Sequence, residues 1–406
     1  MDRRDFLKGA AATGPSALLF SASIAAAAGQ AEGAEDGSQS GEALKELRDT
    51  LAELEKGFHG PAWRLSGPGE IAEGRRYLAH SLQHALEAWL EPDADYPVFV
   101  RFETPEKKLL GDNPDAVYFT TPVSAEHEYR IRGNLADATY TSFTVERKSA
   151  AGGGSGRIGA TLNDTEFEAK RDGSYEIVVS AKKRSGNWLR LDPDAVSMTT
   201  RHYYEREKSI AGDRLHHIPI MIENSDVMPP RPAPTDASIA AGVRRVTAFL
   251  KGTVVPPGVG VKMPRWVSTV PNELPAPLRD DSNQEVGFAA KDNVYSMAPF
   301  LLGPGQALVI RGRYPKCRFA SVVLWNRFMQ TFDYTTRQVS LNRRQTKLEP
   351  DGSFKIVVAG SDPGVPNWID TEGHAMGQIF WRFQLPEEDI EPLTTQLVPL
   401  AKAREA

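Results

Sequence analysis

The segment that follows Trp368 holds side chains suited to acid–base chemistry. It reads IDTEGH and places Asp370, Glu372 and His374 within a few positions of one another. A carboxylate that orients an imidazole is a common arrangement for general acid–base catalysis. Asp370 and His374 are therefore the candidate catalytic pair, although the sequence ties no Ser or Cys nucleophile to them.

A second segment, residues 325–334, reads WNRFMQTFDY and combines aromatic rings with polar side chains. Such a mixture is typical of a binding wall, where rings supply contact area and polar groups fix orientation. An alternative is that this hairpin packs against another domain as interface core. The candidate ligand-binding residues are Trp325, Asn326, Arg327, Phe332, Asp333, Tyr334, Arg311, Asn367, Trp368 and Arg382. Arginines from this set would hold an anionic group of a substrate.

The sequence predicts no metal site and names no cofactor. His216 and His217 are adjacent and point in opposite directions along an extended chain, and no nearby carboxylates show ligand spacing. GSGRIG at 154–159 matches the glycine pattern of a dinucleotide-binding motif. It lies between predicted strands with no helix after it, so the sequence does not predict a dinucleotide site there.

These candidate residues must be positioned by a β-rich architecture that the chain contains twice. DGSYEIVVS at 172–180 matches DGSFKIVVA at 351–359, and DAVYFTTP at 115–122 matches DNVYSMAP at 292–299. The strands are short and alternate in polarity, which favours antiparallel sheets. The sequence therefore predicts a mainly β protein of two tandem β-sandwich or jelly-roll-like modules from an internal duplication, each with an associated helix. Residues shared by both copies are interpreted as scaffold, and the altered second copy as the working surface.

The predicted organisation follows from changes in composition along the chain. Leu44, Leu47, Leu51 and Leu54 have helical spacing and predict an N-terminal amphipathic helix. The predicted segments are a signal peptide at 1–28, a disordered tether at 29–42, helices with the first β module at 43–225, a proline-rich linker at 226–238, a helix with the second β module at 239–390, and a C-terminal tail at 391–406.

The first residues indicate export of a folded protein. Arg3 and Arg4 precede Phe6 and a weakly apolar alanine-rich run, as in a twin-arginine signal with cleavage near Ala28. We expect the twin-arginine translocation machinery as a partner, a periplasmic or secreted location, and no transmembrane anchor after processing. With a single cysteine, Cys317, no disulfide can form within the chain, so stability must come from packing. The formal net charge of −5 and the lack of a basic stripe argue against nucleic acid as a partner.

Several of these stretches resemble a known family. NPDAVYFTTPVSAEHEYRIRG, PGQALVIRGRYPKCRFASVVLWN and PNWIDTEGH are similar to the bacterial family called domain of unknown function 1214, which is frequently found beside the 1254 domain. The resemblance runs from about residue 95 to residue 385. It implies an exported or envelope-associated β-rich protein and brings no established reaction.

Three functional hypotheses remain open on the sequence, which does not decide whether the chain is an enzyme. The first is a cell-envelope protein that binds a small organic or saccharide ligand in a cleft walled by the second module. The second is a periplasmic hydrolase or lyase that uses Asp370 and His374. The third is a non-catalytic assembly module that docks through its N-terminal helix.

Overall fold

The computed structural model describes residues 37–148, 155–256, 263–279 and 292–406. The predicted signal peptide and most of the predicted tether lie outside these residues. The helices are α1 (Gln39–Gly57), α2 (Pro68–Ala85), which continues as a π-helical turn (Leu86–Leu90), and α3 (Asp236–Thr253). The last residues assigned to the tether begin α1, because the Ser38 side chain caps the helix by accepting from the Gly41 amide at 3.1 Å.

The three helices pack together on one side of the sheets. Leu47, Leu51 and Leu54 of α1 lie against the apolar cluster that contains Val246 and Leu250 of α3. The helices approach closely at Gly242, where a Cβ atom would lie 2.5 Å from the carbonyl oxygen of Leu90. The predicted amphipathic helix is therefore docked inside the fold.

The first module contains β1 (Val100–Arg101), β2 (Ala116–Pro122), β3 (Tyr129–Asn134), β4 (Tyr140–Lys148), β5 (Ser155–Asn163), β6 (Ser174–Ser180), β7 (Trp188–Arg190), β8 (Ala195–Tyr203) and β9 (Ile220–Asn224). Over the described ranges they form two sheets, in the orders β1-β2-β8-β4-β5 and β7-β6-β3-β9. Phe143 and Met198 from the first sheet and Ile131 and Ile177 from the second meet in one apolar core. The module is thus a sandwich.

The second module contains β10 (Asn293–Leu301), β11 (Gln306–Gly312), β12 (Phe319–Trp325), β13 (Ser340–Asn342), β14 (Phe354–Ala359), β15 (Trp368–Asp370), β16 (Met376–Gln384) and β17 (Thr394–Pro399). Their sheets have the orders β10-β16-β12-β13 and β15-β14-β11-β17. Val322 and Phe383 from one sheet and Ile310 and Ile356 from the other form its core.

The two modules share one topology. β2, β8, β4 and β5 of the first occupy the same places as β10, β16, β12 and β13 of the second, and β7-β6-β3-β9 corresponds to β15-β14-β11-β17. The predicted mainly β, duplicated fold is confirmed. The segment predicted as a C-terminal tail contains β17, which pairs with β11 as β9 pairs with β3. Its apolar pattern is weak because β17 is an edge strand and most of its side chains are exposed.

Candidate functional site

Trp325 and Phe332 of the 325–334 hairpin are buried rather than lining an open wall. Trp325 is 1% exposed, stacks on Phe380 with ring centroids 4.4 Å apart, and donates from Nε1 to the carbonyl oxygen of Asp112 at 2.8 Å. Phe332 is also buried and stacks on His374. For these two rings, the alternative of interface core describes the geometry better than a ligand wall.

Asn326 and Arg327 hold the hairpin in place. Asn326 Oδ1 accepts from the backbone amides of Phe328 and Gln330 and closes the turn. The Arg327 guanidinium bonds Glu70 of α2 at 3.1 Å and reaches the carbonyl oxygen of Trp63. Both side chains therefore position structure, and their polar atoms are occupied by the protein.

The predicted Asp370–His374 pair is not formed. Asp370 accepts from Arg337 Nη1 at 2.6 Å. His374 Nε2 lies 2.7 Å from a carboxylate oxygen of Glu73 in α2, and its Nδ1 lies 2.8 Å from the carbonyl oxygen of Thr371. The bond to Glu73 raises the pKa of His374 against the opposing effect of burial. Both ring nitrogens are occupied, and the bond from Nε2 to α2 is a contact that spacing within the loop cannot reveal.

Asn367, Trp368 and Arg311 belong to the scaffold of the second module. Asn367 Nδ2 donates to two backbone carbonyl oxygens, at 2.7 and 2.9 Å, and its counterpart Asn187 does the same in the first module. Trp368 Nε1 donates to the carbonyl oxygen of Ala359. Arg311 lies half-exposed on β11, in the sheet farther from the inter-module contact. These residues are not brought together with the remaining candidates.

A cleft of about 780 Å³ opens between the two modules. One wall is the segment after β8, and the other is the segment that runs from the hairpin into β13. The lining residues are Arg206, Glu207, Lys208, Ser209, Ile210, Gly212, Asp213, Tyr334, Thr335, Thr336, Arg337, Gln338, Val339, Ser340 and Gln345. Of the predicted ligand-binding residues, Tyr334 lines this cleft and Asp333 lies directly behind it.

The inner wall of the cleft is held rigidly. Asp333 accepts from the hydroxyls of Thr335 and Thr336, both at 2.5 Å. Burial works to raise the pKa of Asp333, but these donors outweigh it and hold the pKa at about 2. The Tyr334 ring faces the ammonium of Lys108, which lies 4.4 Å from the ring centroid.

Behind Tyr334, polar side chains from both modules meet in the interior. Cross-strand neighbours at one level of the first sheet are Tyr118, Arg201, Ser142 and Asn163, and at the equivalent level of the second sheet they are Tyr295, Arg382, Ser321 and Asn342. Both rows face the contact between the modules, since the Arg382 guanidinium lies 5.3 Å from the ring centroid of Tyr203 across that contact. We call these eight residues, with Glu103, Asp112, Tyr203 and Gln384, the inner cluster.

The contacts across the interface are reciprocal. Asp115 of the first module accepts from Asn342 of the second at 3.0 Å, and Asp292 of the second accepts from Asn163 of the first at 3.1 Å. Asp115 corresponds to Asp292 and Asn163 to Asn342 in the duplicated pattern. Such an exchange is the property of an interface between two copies related by a two-fold axis.

Glu103 and Asp112 place buried acids in the inner cluster. Burial raises the pKa of Glu103 well above its usual range, and the nearby charge of Asp112 adds to that effect while Arg382 and Arg201 oppose it. Burial also raises the pKa of Asp112, although that carboxylate accepts from the amide of Thr331 at 2.8 Å. The charges of these acids also reach Tyr334, so the cleft and the inner cluster are electrostatic neighbours.

Sequence reasoning found Arg382 but missed most of the inner cluster. The sequence predicts strands at the segments that contain Tyr118 and Arg201, and it assigns neither residue a functional role. The signal that identifies Arg201 is a single arginine that recurs within a strand with no other formally charged residue, as in TTRHYY and IFWRFQ. Charge at that position is costly in a core and so requires a polar interior.

Two further observations concern metal ligands and membrane-spanning helices among the described residues. No group of three or more His, Cys, Asp or Glu side chains in those ranges has the geometry to hold a metal ion. None of the helices in the described part of the chain combines the length and apolarity needed to cross a bilayer.

Comparison with solved structures gives a close match in fold. An uncharacterized protein from Burkholderia cenocepacia is 29% identical in sequence and superposes with a TM-score of 0.76, covering 89% of this chain and 98% of its own. The VPA0106 protein from Vibrio parahaemolyticus is 14% identical with a TM-score of 0.45, covering 80% of this chain and 98% of its own, a value too low to support further inference. A comparison with curated proteins found no match.

A family model matches this chain in two regions, residues 119–207 and residues 307–388. The first region lies in the first β module and the second region in the second. This agrees with the shared topology and with the resemblance noted in the sequence. Each of the two β modules of this chain thus contains a segment similar to the family described as protein of unknown function (DUF1214).

Proposed function

We propose that this chain is a binding protein that holds a small polar organic or saccharide-like ligand in the cleft between its modules. The observation that carries the proposal is the cleft itself, of about 780 Å³, with one wall from each module. Ligand sites of small molecules commonly have volumes of roughly 300–1,000 Å³ and lie between domains.

The side chains of the cleft favour a ligand rich in hydroxyl groups. Thr335 and Thr336 donate their hydroxyl hydrogens inward to Asp333, which leaves their oxygens as acceptors. Arg337 contributes N–H donors and is braced by Asp370. A wall with both donors and acceptors, fixed before binding, loses little conformational entropy when a polyol is bound.

A hydrolase or lyase that relies on Asp370 and His374 finds less support. Their polar atoms are engaged by Arg337 and Glu73, and no hydrogen bond joins the two residues. Binding is therefore the function that the geometry of the cleft favours.

The experiment is native mass spectrometry of the protein purified from the periplasm of its own host. Ser209 lines the cleft and is half-exposed, so Ser209→Trp should fill the cleft and remove any bound mass. Ser185 is an exposed loop residue that is not part of the cleft lining, and Ser185→Trp is the matched control that should retain it. Absence of a bound mass in the wild-type protein, or an equal mass in Ser209→Trp, would contradict the proposal.

The proposed location is the periplasm or the exterior, reached through the twin-arginine route. This rests on Arg3 and Arg4 in the N-terminal DRRDFLKG. Replacing both by Lys keeps the charge but removes the arginine pair, so we expect the chain to remain in the cytoplasm with its N-terminus uncleaved. Cell fractionation with immunoblotting measures this, and normal export of the double variant would refute it.

A further inference from the structure

Arg382 is a buried cation that forms no ion pair with a described residue. Its side chain is 7% exposed and lies among aromatic rings, 5.3 Å from the centroid of Tyr203 and 5.0 Å from that of Phe380. No carboxylate oxygen in the described ranges lies within 4.0 Å of a guanidinium nitrogen of Arg382, the distance that defines an ion pair. Its Nε and Nη1 also have no hydrogen-bond acceptor in those ranges. A guanidinium stays charged at any ordinary pH, so it cannot escape by losing its proton.

The neighbours of Arg382 have unused polar atoms as well. Gln384 is two residues further along β16 and on the same face of the sheet, fully buried, and neither its Nε2 nor its Oε1 has a partner in the part of the chain that is described. Glu103 is 8% exposed, and its Oε2 is likewise without a partner among these residues. Three adjacent side chains therefore present polar atoms to one interior region.

Buried polar groups of folded proteins are almost always hydrogen-bonded, and buried charges are paired. Arg382 and Gln384 offer N–H donors, so the missing partner is an acceptor with a negative charge. We infer that the inner cluster binds a small carboxylate monoanion at Arg382, a site separate from the cleft of the proposed function.

A carboxylate fits this region better than a phosphate. A guanidinium without an ion-pair partner matches a single negative charge, whereas a phosphate dianion would leave a buried charge of its own. Glu103, whose pKa burial raises, can hold a proton and donate to a carboxylate oxygen. The rings of Tyr203 and Phe380 provide apolar contact for the rest of a small organic acid.

The test compares thermal unfolding of the full chain in sodium acetate, sodium chloride and sodium phosphate at equal ionic strength, after exhaustive dialysis. We expect acetate to raise the Tm of the wild-type protein by several degrees relative to chloride, with saturation as its concentration increases. Arg382→Met removes the charge at similar volume and should abolish this rise. Arg313→Met removes an exposed arginine that is paired with Asp351, and it should keep the full rise.

Other outcomes are decisive as well. No difference between acetate and chloride in the wild-type protein, or an equal rise in Arg382→Met, overturns the site, and a rise in phosphate alone overturns the carboxylate. If Arg382→Met does not fold, Gln384→Leu replaces it and should at least halve the rise; an undiminished rise there counts against the site. Ser209→Trp, which blocks the cleft, must retain the acetate response, and its loss there would assign acetate to the cleft.

Discussion

Replacing Asp115 by asparagine tests whether the interface between the modules contains a carboxylate that is held there at a cost. Asp115 is fully buried, and burial raises its pKa from the ordinary 3.8 to about 7, although the Asn342 amide donates to it. The introduced carboxamide would keep an oxygen to accept from Asn342 while removing the charge. The substitution is nearly isosteric, so packing should change little.

The expected change in the free energy of unfolding follows, in sign and size, from the linkage between proton binding and folding. Well below pH 3.8, Asp115 is protonated in both states and has no effect, while between about pH 4 and pH 7 the native state keeps a proton that the unfolded chain has released. Stability from this group therefore falls as pH rises through that window. Because a pKa difference of one corresponds to about 1.4 kcal/mol, the full cost of the ionised group above pH 7 is about 4 kcal/mol.

Urea unfolding followed by tryptophan fluorescence measures the prediction. Asp115→Asn should be close to wild type at about pH 4 and more stable by about 4 kcal/mol at about pH 8. Asp292→Asn is the matched control, because Asp292 accepts from Tyr140 at 2.5 Å and from Asn163 at 3.1 Å and should lose stability when these charge-assisted bonds weaken. A pH-independent difference between Asp115→Asn and wild type would refute the reasoning.

Three further outcomes are expected. Trp325→Ala should lower the free energy of unfolding, measured by urea denaturation, by about 3–5 kcal/mol. The substitution empties a buried volume and removes the hydrogen bond from Trp325 to the first module. A loss below about 1 kcal/mol would contradict the role of Trp325 as interface core. Glu73 raises the pKa of the half-buried His374, so this pair stabilises the fold most below about pH 6.5, and its contribution is lost as pH rises through the native pKa. His374→Gln should therefore lower the free energy of unfolding by up to about 1 kcal/mol at pH 6 and by less at pH 9. An equal loss at both pH values would contradict this role of the pair. Burial raises the pKa of Cys317 to about 11, so iodoacetamide should modify it slowly at pH 8 until urea unfolds the chain, and rapid labelling of the native protein by mass would show otherwise.

The sequence predicted the fold well because a duplication provides an internal comparison. The recurrence of DGS before an apolar run marked equivalent turns, and the structure shows them at Asp172 and Asp351, each accepting from the serine two residues on. The order of strands in the two modules then follows from one pattern. Contacts between residues of different copies produce no comparable repeat in the sequence.

The candidate site was predicted less well for the same physical reason. Asp370 and His374 are close in sequence, but their partners Arg337 and Glu73 come from other elements, and Glu73 is some 300 residues away. From the sequence, residues shared by both copies are interpreted as scaffold, although a two-fold arrangement brings shared residues face to face. Arg382 was selected for its charge alone.

The reciprocal bonds Asp115–Asn342 and Asp292–Asn163 have an evolutionary consequence. They are what a symmetric homodimer of a one-module ancestor would make, and here one polypeptide supplies both halves. Gene fusion frees equivalent positions to change independently, and the aromatic Tyr203 on one side now stands where Gln384 stands on the other. A homodimer must use the same surface on both partners, whereas a fused chain can build an asymmetric interface, and here Arg382 and its twin Arg201 have different partners.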